Sequence, residues 1–111
     1  MFETGCRKIK LKPGSLERVR EWAAELNRRP SEVLATLQDE EVMVESVFLE
    51  SNDEGDFLIY YMKVKSFDKA HEVVKNSPHP IDAYHNEFKQ ATFESSTKLE
   101  LLIDFDRIEE A

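Results

Sequence analysis

The sequence predicts an α+β fold: a four-stranded antiparallel sheet in ferredoxin-like βαββαβ order, covered on one face by helices, in a single domain over residues 1–111. Three observations carry this. Segments with a two-residue apolar period stand near both ends of the chain. Two helical stretches, each interrupted by proline, separate the strands. Between them, two β-rich runs flank Ser51-Asn52-Asp53-Glu54-Gly55-Asp56, a turn-rich connection typical of a hairpin.

The first strand is expected over residues 7–12, with Ile9 and Leu11 on one side and Lys8, Lys10 and Lys12 on the other. Pro13-Gly14 ends it, and Ser15 can cap a helix over residues 16–28. Leu16, Val19, Trp22, Ala23 and Leu26 form that helix's apolar stripe. Pro30 stops it and suits the first turn of a second helix, residues 31–41, with Val33, Leu34 and Leu37 on one face. Strands two and three are expected over residues 42–50 and 57–65. Ser66 can cap a third helix that ends near Asn76, with Phe67, Ala70, Val73 and Val74 inward. Pro78 and Pro80 bracket His79 before a fourth helix, residues 81–93, which buries Ile81, Tyr84, Phe88 and Ala91. A polar turn, residues 94–97, then leads to the last strand, residues 99–105. There Leu99, Leu101, Ile103 and Phe105 alternate with Glu100 and Asp104. A frayed tail is expected from Asp106.

Right-handed crossovers are expected to set strands 1 and 3 side by side and parallel, flanked by antiparallel strands 4 and 2, the split βαβ arrangement. Strand 3, Phe57-Leu58-Ile59-Tyr60-Tyr61-Met62, is apolar on both sides, and strand 2 nearly so. A sheet with one wet face alternates instead. A second copy of the chain is the expected cover, which makes the protein a homodimer. Lys8, Lys10 and Lys12 are expected to lie beside Glu100 and Asp104 as cross-strand pairs.

Composition narrows the function classes. The net charge of −8 opposes binding to nucleic acid or to anionic membranes. No run approaches the roughly 20 apolar residues of a membrane span, and residues 1–12 lack the apolar core of a signal peptide. Cytoplasm is therefore the expected compartment. Cys6 is the single cysteine, which excludes an internal disulfide and any multi-cysteine zinc site. Three glycines and no GxSxG pattern leave no phosphate loop or nucleophile elbow. His79 and His85 stand six apart, which is no HxxxH or HExxH spacing. No metal and no cofactor are expected.

His85 is the most informative residue. It falls four positions after Ile81 and three before Phe88, on the inner stripe of the fourth helix. An imidazole there can act as general acid or base near neutral pH, or can be a core-edge histidine bonded to a strand side chain. Tyr60 and Tyr61 point to opposite sheet faces, each with a hydroxyl on an apolar body. Glu45 interrupts an apolar strand, so it needs a partner or a purpose. A register symmetric about the turn would pair it with Lys63; otherwise it lines a cavity beside His85 and Tyr60. His79 is either a rigid turn residue or a ligand contact. His71 is expected on a helix flank. The candidate catalytic set is thus His85, Tyr60 and Glu45, with His79 and Trp22 as candidate ligand-binding residues.

Four stretches, KLKPGSLERVREWAAELNRRP, VESVFLE, GDFLIYYMKV and HPIDAYHNEF, resemble a family of small bacterial and archaeal proteins of unknown function within the dimeric α/β-barrel superfamily. The resemblance implies a ferredoxin-like monomer, a dimer whose two sheets form a barrel, and any ligand cavity between sheet and helices. Superfamily members include monooxygenases, haem-degrading enzymes, mutarotases and stress-response proteins, so the resemblance selects no reaction. HPIDAYHNEF resembles the histidine-bearing segment that often lines the cavity. Two functional readings follow: a small-metabolite protein using cofactor-free acid–base chemistry, and a non-catalytic dimeric structural or regulatory module. Whether the chain is an enzyme stays open between them.

Overall fold

Gly5 and Phe67 set how closely the third helix approaches the sheet. In the computed structural model, which describes residues 1–108, a Cβ on Gly5 would stand 2.9 Å from Cζ of Phe67. Only a bare backbone lets that ring lie on the strand. The strand is β1 (Glu3–Leu11). It is followed by α1 (Leu16–Arg28), α2 (Pro30–Glu40), β2 (Val42–Asn52), β3 (Gly55–Val64), α3 (Phe67–Lys75), α4 (Pro80–Thr92) and β4 (Phe93–Lys98). Prolines begin α2 and α4, where a missing N–H costs nothing. The Ser66 side chain caps α3 by accepting from the Lys69 N–H. Glu41 closes α2 in the left-handed region at φ 58°.

The sheet order is β2-β3-β1-β4. β1 runs antiparallel to both β3 and β4, with Cys6 opposite Tyr61 and Ile9 opposite Leu58. The parallel β1–β3 pair expected from the sequence is therefore corrected. The crossover makes β1 parallel to β2, the hairpin reverses β3 against β2, and β3 consequently runs against β1. The hairpin pairs Asn52 with Gly55, leaving Asp53 and Glu54 as a two-residue turn.

The last strand is displaced from its expected place. α4 passes directly into β4 at Phe93, and the supposed polar turn is the edge strand itself. An exposed edge needs its backbone ladder and no apolar alternation. Residues 99–105 have no regular structure, and Leu101, Leu102, Ile103 and Phe105 are exposed. The lysines of β1 accordingly find other partners. Lys8 pairs with Glu50 at 2.9 Å and lies over the Phe57 ring. Lys10 pairs with Glu94 at 3.5 Å. Lys12 donates to the Gln90 carbonyl oxygen.

The C-terminal segment is tied down, and the fraying expected from Asp106 is corrected. Lys63, fully buried on the sheet face away from the helices, bonds Asp104 at 2.8 Å and also bonds Asp106. Asp104 accepts from Thr4 as well. The chain's own tail therefore covers one end of the outer face, while Phe48 on that face stays exposed. Residues 109–111 lie outside the described residues.

The core sits between β1, β3, α1 and α4. Ile9, Leu11, Val19, Trp22, Leu58 and Phe88 are its buried centre. The Trp22 and Phe88 rings stack 4.4 Å apart at an interplanar angle of 3°. Leu58→Ala is expected to lower stability by about 2–5 kcal/mol, since Leu58 is 1% exposed and its loss opens a cavity among these rings. Urea denaturation measures this directly.

Candidate functional site

His85 is held by the indole of Trp22. Trp22 Nε1 donates to His85 Nδ1 at 3.0 Å, and the rings lie 5.5 Å apart. An indole N–H can only donate, so Nδ1 accepts and the proton of the neutral imidazole sits on Nε2. Nε2 has no protein partner and is not among the buried unpartnered atoms, so water reaches it. Burial first, then the charge of Lys89, pushes the His85 pKa down to about 4. The imidazole is thus a neutral hydrogen-bond donor at pH 7.

Tyr60 lies beside this pair, its ring 6.4 Å from both Trp22 and His85. Its hydroxyl is buried and bonds to nothing, and no other buried side-chain polar atom among the described residues is without a partner. The sequence allowed His85 to bond a strand side chain such as Tyr60; Trp22 takes that place instead. Burial, and secondarily the Glu45 charge, pushes the phenol pKa far up, so the hydroxyl keeps its proton.

Glu45 stands opposite Met62, on the helix-covered face of β2 with Val47 and Tyr60. The ion pair with Lys63 is corrected. A two-residue turn pairs Lys63 with Val44 on the other face, where Asp104 and Asp106 hold it. The Glu45 side chain is exposed, yet its pKa is raised by burial first and by Asp82, with Lys89 opposing. Both hold for a group with water on one side and crowding protein on the other. The open side limits what desolvation does there. Leu49, 38% exposed on the same face, leaves the β2 edge there apolar and open.

His79 does not join this cluster. Its Nε2 lies 2.7 Å from Asp39 Oδ2, a contact that raises its pKa. With Glu40, Asp82 and Ser77 it lines a separate groove of about 560 Å³ between α2, α3 and α4. Its side chain makes no cap to α4. His71 is exposed on α3, its ring 6.4 Å from that of Phe67.

Sequence reasoning missed three charged groups. Asp82 and Lys89 stand three before and four after His85 on one helical stripe, a spacing legible in hindsight. Glu40 gave no such signal, because the left-handed cap at Glu41 sets where α2 ends. Burial, with Asp82 and Glu45 adding, raises the Glu40 pKa to about 7. Among the described residues no group of three or more His, Cys, Asp or Glu is placed to hold a metal ion. Among them, too, no helix is long and apolar enough to cross a membrane.

The sheet order and crossovers define an α+β protein of ferredoxin-like fold. The chain belongs to a family of unknown function, DUF6176, whose model matches residues 2–110. Solved structures share the fold. PA3566 from Pseudomonas aeruginosa is 16% identical, with 90% of this chain and 93% of that chain covered and a TM-score of 0.56. A dimeric protein of unknown function and ferredoxin-like fold from Bacteroides fragilis is 17% identical, covering 88% and 92%, TM-score 0.54. An uncharacterized NIPSNAP-like domain protein from Burkholderia xenovorans is 14% identical, covering 95% and 88%, TM-score 0.60. At such identities the likeness concerns the fold alone. No curated protein matches the chain.

The histidine carries a pH signature. Its folded pKa of about 4 lies below the ordinary histidine value of 6.5, so the unfolded chain binds the extra proton in that window. Its contribution is complete above about pH 6.5 and is lost as pH falls toward 4, on the order of 2–3 kcal/mol. Glu40 acts oppositely, losing stability as pH rises from 4.5 to about 7. NMR titration should show His85 as the Nε2–H tautomer with a pKa below 5. Trp22→Phe should raise that pKa, because the indole donor no longer opposes a proton on Nδ1.

Proposed function

We propose that a cleft between the β2–β3 edge and helices α1 and α4 binds a small metabolite, and that the protein acts on it by cofactor-free proton transfer. The observation that carries the reading is the buried, unpartnered Tyr60 hydroxyl beside a neutral His85. A buried polar group without a partner costs about 1–3 kcal/mol, and folding alone gives no reason to keep it. Glu45 adds a carboxylate open to water on the same sheet face. Trp22 fixes the imidazole, which leaves the Nε2–H and the phenol as two donors without a protein acceptor. His79, 2.7 Å from Asp39, stands at the neighbouring groove and is assigned there as a secondary ligand contact.

Tyr60→Phe separates this from a purely structural role. Removing an unsatisfied hydroxyl should leave stability unchanged or raise it by about 1 kcal/mol, while metabolite binding falls. His85→Ala is less informative, since it strands the buried Trp22 N–H under either reading. The protein has one tryptophan, so its fluorescence reports on the site during a metabolite screen. A clear loss of stability in Tyr60→Phe, with no metabolite altering the Trp22 signal, would refute the proposal.

The second reading, a dimeric module in the manner of the dimeric α/β barrels, draws on the apolar surface. Phe48, Leu101, Leu102, Ile103 and Phe105 are 54–89% exposed, and the Bacteroides fragilis neighbour is described as dimeric. A homodimer formed through the outer sheet face and the C-terminal segment would cover them and is compatible with the cleft on the opposite face. A stable contact of this kind buries roughly 1,200 Å² or more. Sedimentation at micromolar concentration should give twice the 13.0 kDa chain mass, and Ile103→Asp should shift the equilibrium toward monomer. A wild-type monomer would rule this assembly out.

A further inference from the structure

We propose that the cleft takes a small neutral molecule with an enolisable carbonyl, whose oxygen receives hydrogen bonds from His85 Nε2–H and the Tyr60 hydroxyl while Glu45 removes the proton from the adjacent carbon. The inference rests on the small-molecule reading above and names its substrate class.

The donor inventory leads there. The bond from Trp22 fixes His85 as a donor at Nε2 and uses up its lone pair at Nδ1, so His85 is no base. The Tyr60 hydroxyl keeps its proton and lacks an acceptor. Two neutral donors with a carboxylate nearby match an acceptor oxygen on which negative charge develops. A preformed anion fits badly. Neither donor carries charge, and Glu45, Asp82 and Glu40 make the surroundings acidic, with Lys89 the cation acting on His85 and Glu45. A neutral carbonyl avoids that repulsion, because charge reaches its oxygen only as Glu45 becomes neutral.

The step balances without another reactant. The Glu45 carboxylate takes the α-proton, the C–H electron pair becomes the enolate double bond, and the carbonyl π pair moves to the oxygen held by the two donors. Return of the same proton, to that carbon or to a conjugated one, completes an isomerisation. The raised pKa of Glu45 makes it a better base than an ordinary surface carboxylate.

The test uses 4-nitrophenol, whose oxygen resembles the enolate, against 4-nitroanisole, which cannot release a proton. Binding is followed by the NMR shifts of the His85 and Trp22 ring N–H groups. The phenol should bind at least ten times more tightly than the ether. Tyr60→Phe and Glu45→Gln should each reduce that preference about tenfold while the fold persists. Acetylacetone in deuterated buffer supplies a second readout: the protein should speed deuterium uptake at its central carbon, and Glu45→Gln should abolish the acceleration. Equal binding of phenol and ether, unaffected by Tyr60→Phe, would overturn the carbonyl assignment and leave the small-molecule cleft standing. Failure of both probes, and of every metabolite screened, to perturb the two ring signals would overturn both.

Discussion

The indole of Trp22 is the constraint around which the rest is arranged. One face stacks on Phe88, which joins α1 to α4 over the sheet. Its N–H fixes the tautomer of His85 one turn earlier on α4. Packing and polarity are thus fastened by the same side chain. Moving the indole to relieve either contact breaks the other, and a well-packed core has no slack to absorb the movement. The aromatic neighbours Tyr60 and Phe93 complete the enclosure, with Phe93 edge-on to both Tyr60 and Phe88.

Beside this apolar anchor runs a seam of ionisable groups. Asp82, His85 and Lys89 descend α4 on one stripe, and Glu45 and Glu40 meet them from β2 and α2. Their influences act in opposite directions. Burial, with Lys89 adding, keeps His85 neutral, while Lys89 favours the charged form of Glu45 and Asp82 opposes charge on both glutamates. Small changes in this seam therefore redistribute protons among neighbours instead of simply adding or removing one charge.

How much of this was legible in the sequence differs by element. α1 is marked by Ser15 and Pro30 and has a full apolar stripe, and its bounds agree with the pattern. Trp22, His85 and Tyr60 converge because each lies on an inward stripe or face, which periodicity reveals. Periodicity misleads at the C-terminus. The alternating segment 99–105 resembles a strand, but the ladder position beside β1 is filled by Phe93–Lys98, whose polar side chains carry no alternation. Register was also beyond reach, since one residue in the turn decides whether Glu45 meets Lys63 or Met62. Which ring nitrogen of His85 is occupied depends on a contact 63 positions away in the chain, and local sequence carries no trace of it.

The anchoring of Lys63 bears on how the sheet can be loosened. Its ammonium group is enclosed on the outer sheet face, and Asp104 and Asp106, which neutralise it, lie 41 and 43 positions further along the chain, beyond the last strand. Without that segment in place, β3 can pair with β1 and β2 but leaves a buried cation without its counter-charges. Such a sheet is incomplete electrostatically even when its backbone ladder has formed. The locking of β1, through Thr4, and of β3, through Lys63, therefore hangs on a segment outside the ladder, and a protease cut between Lys98 and Asp104 would loosen the first and third strands without removing a single residue from the sheet.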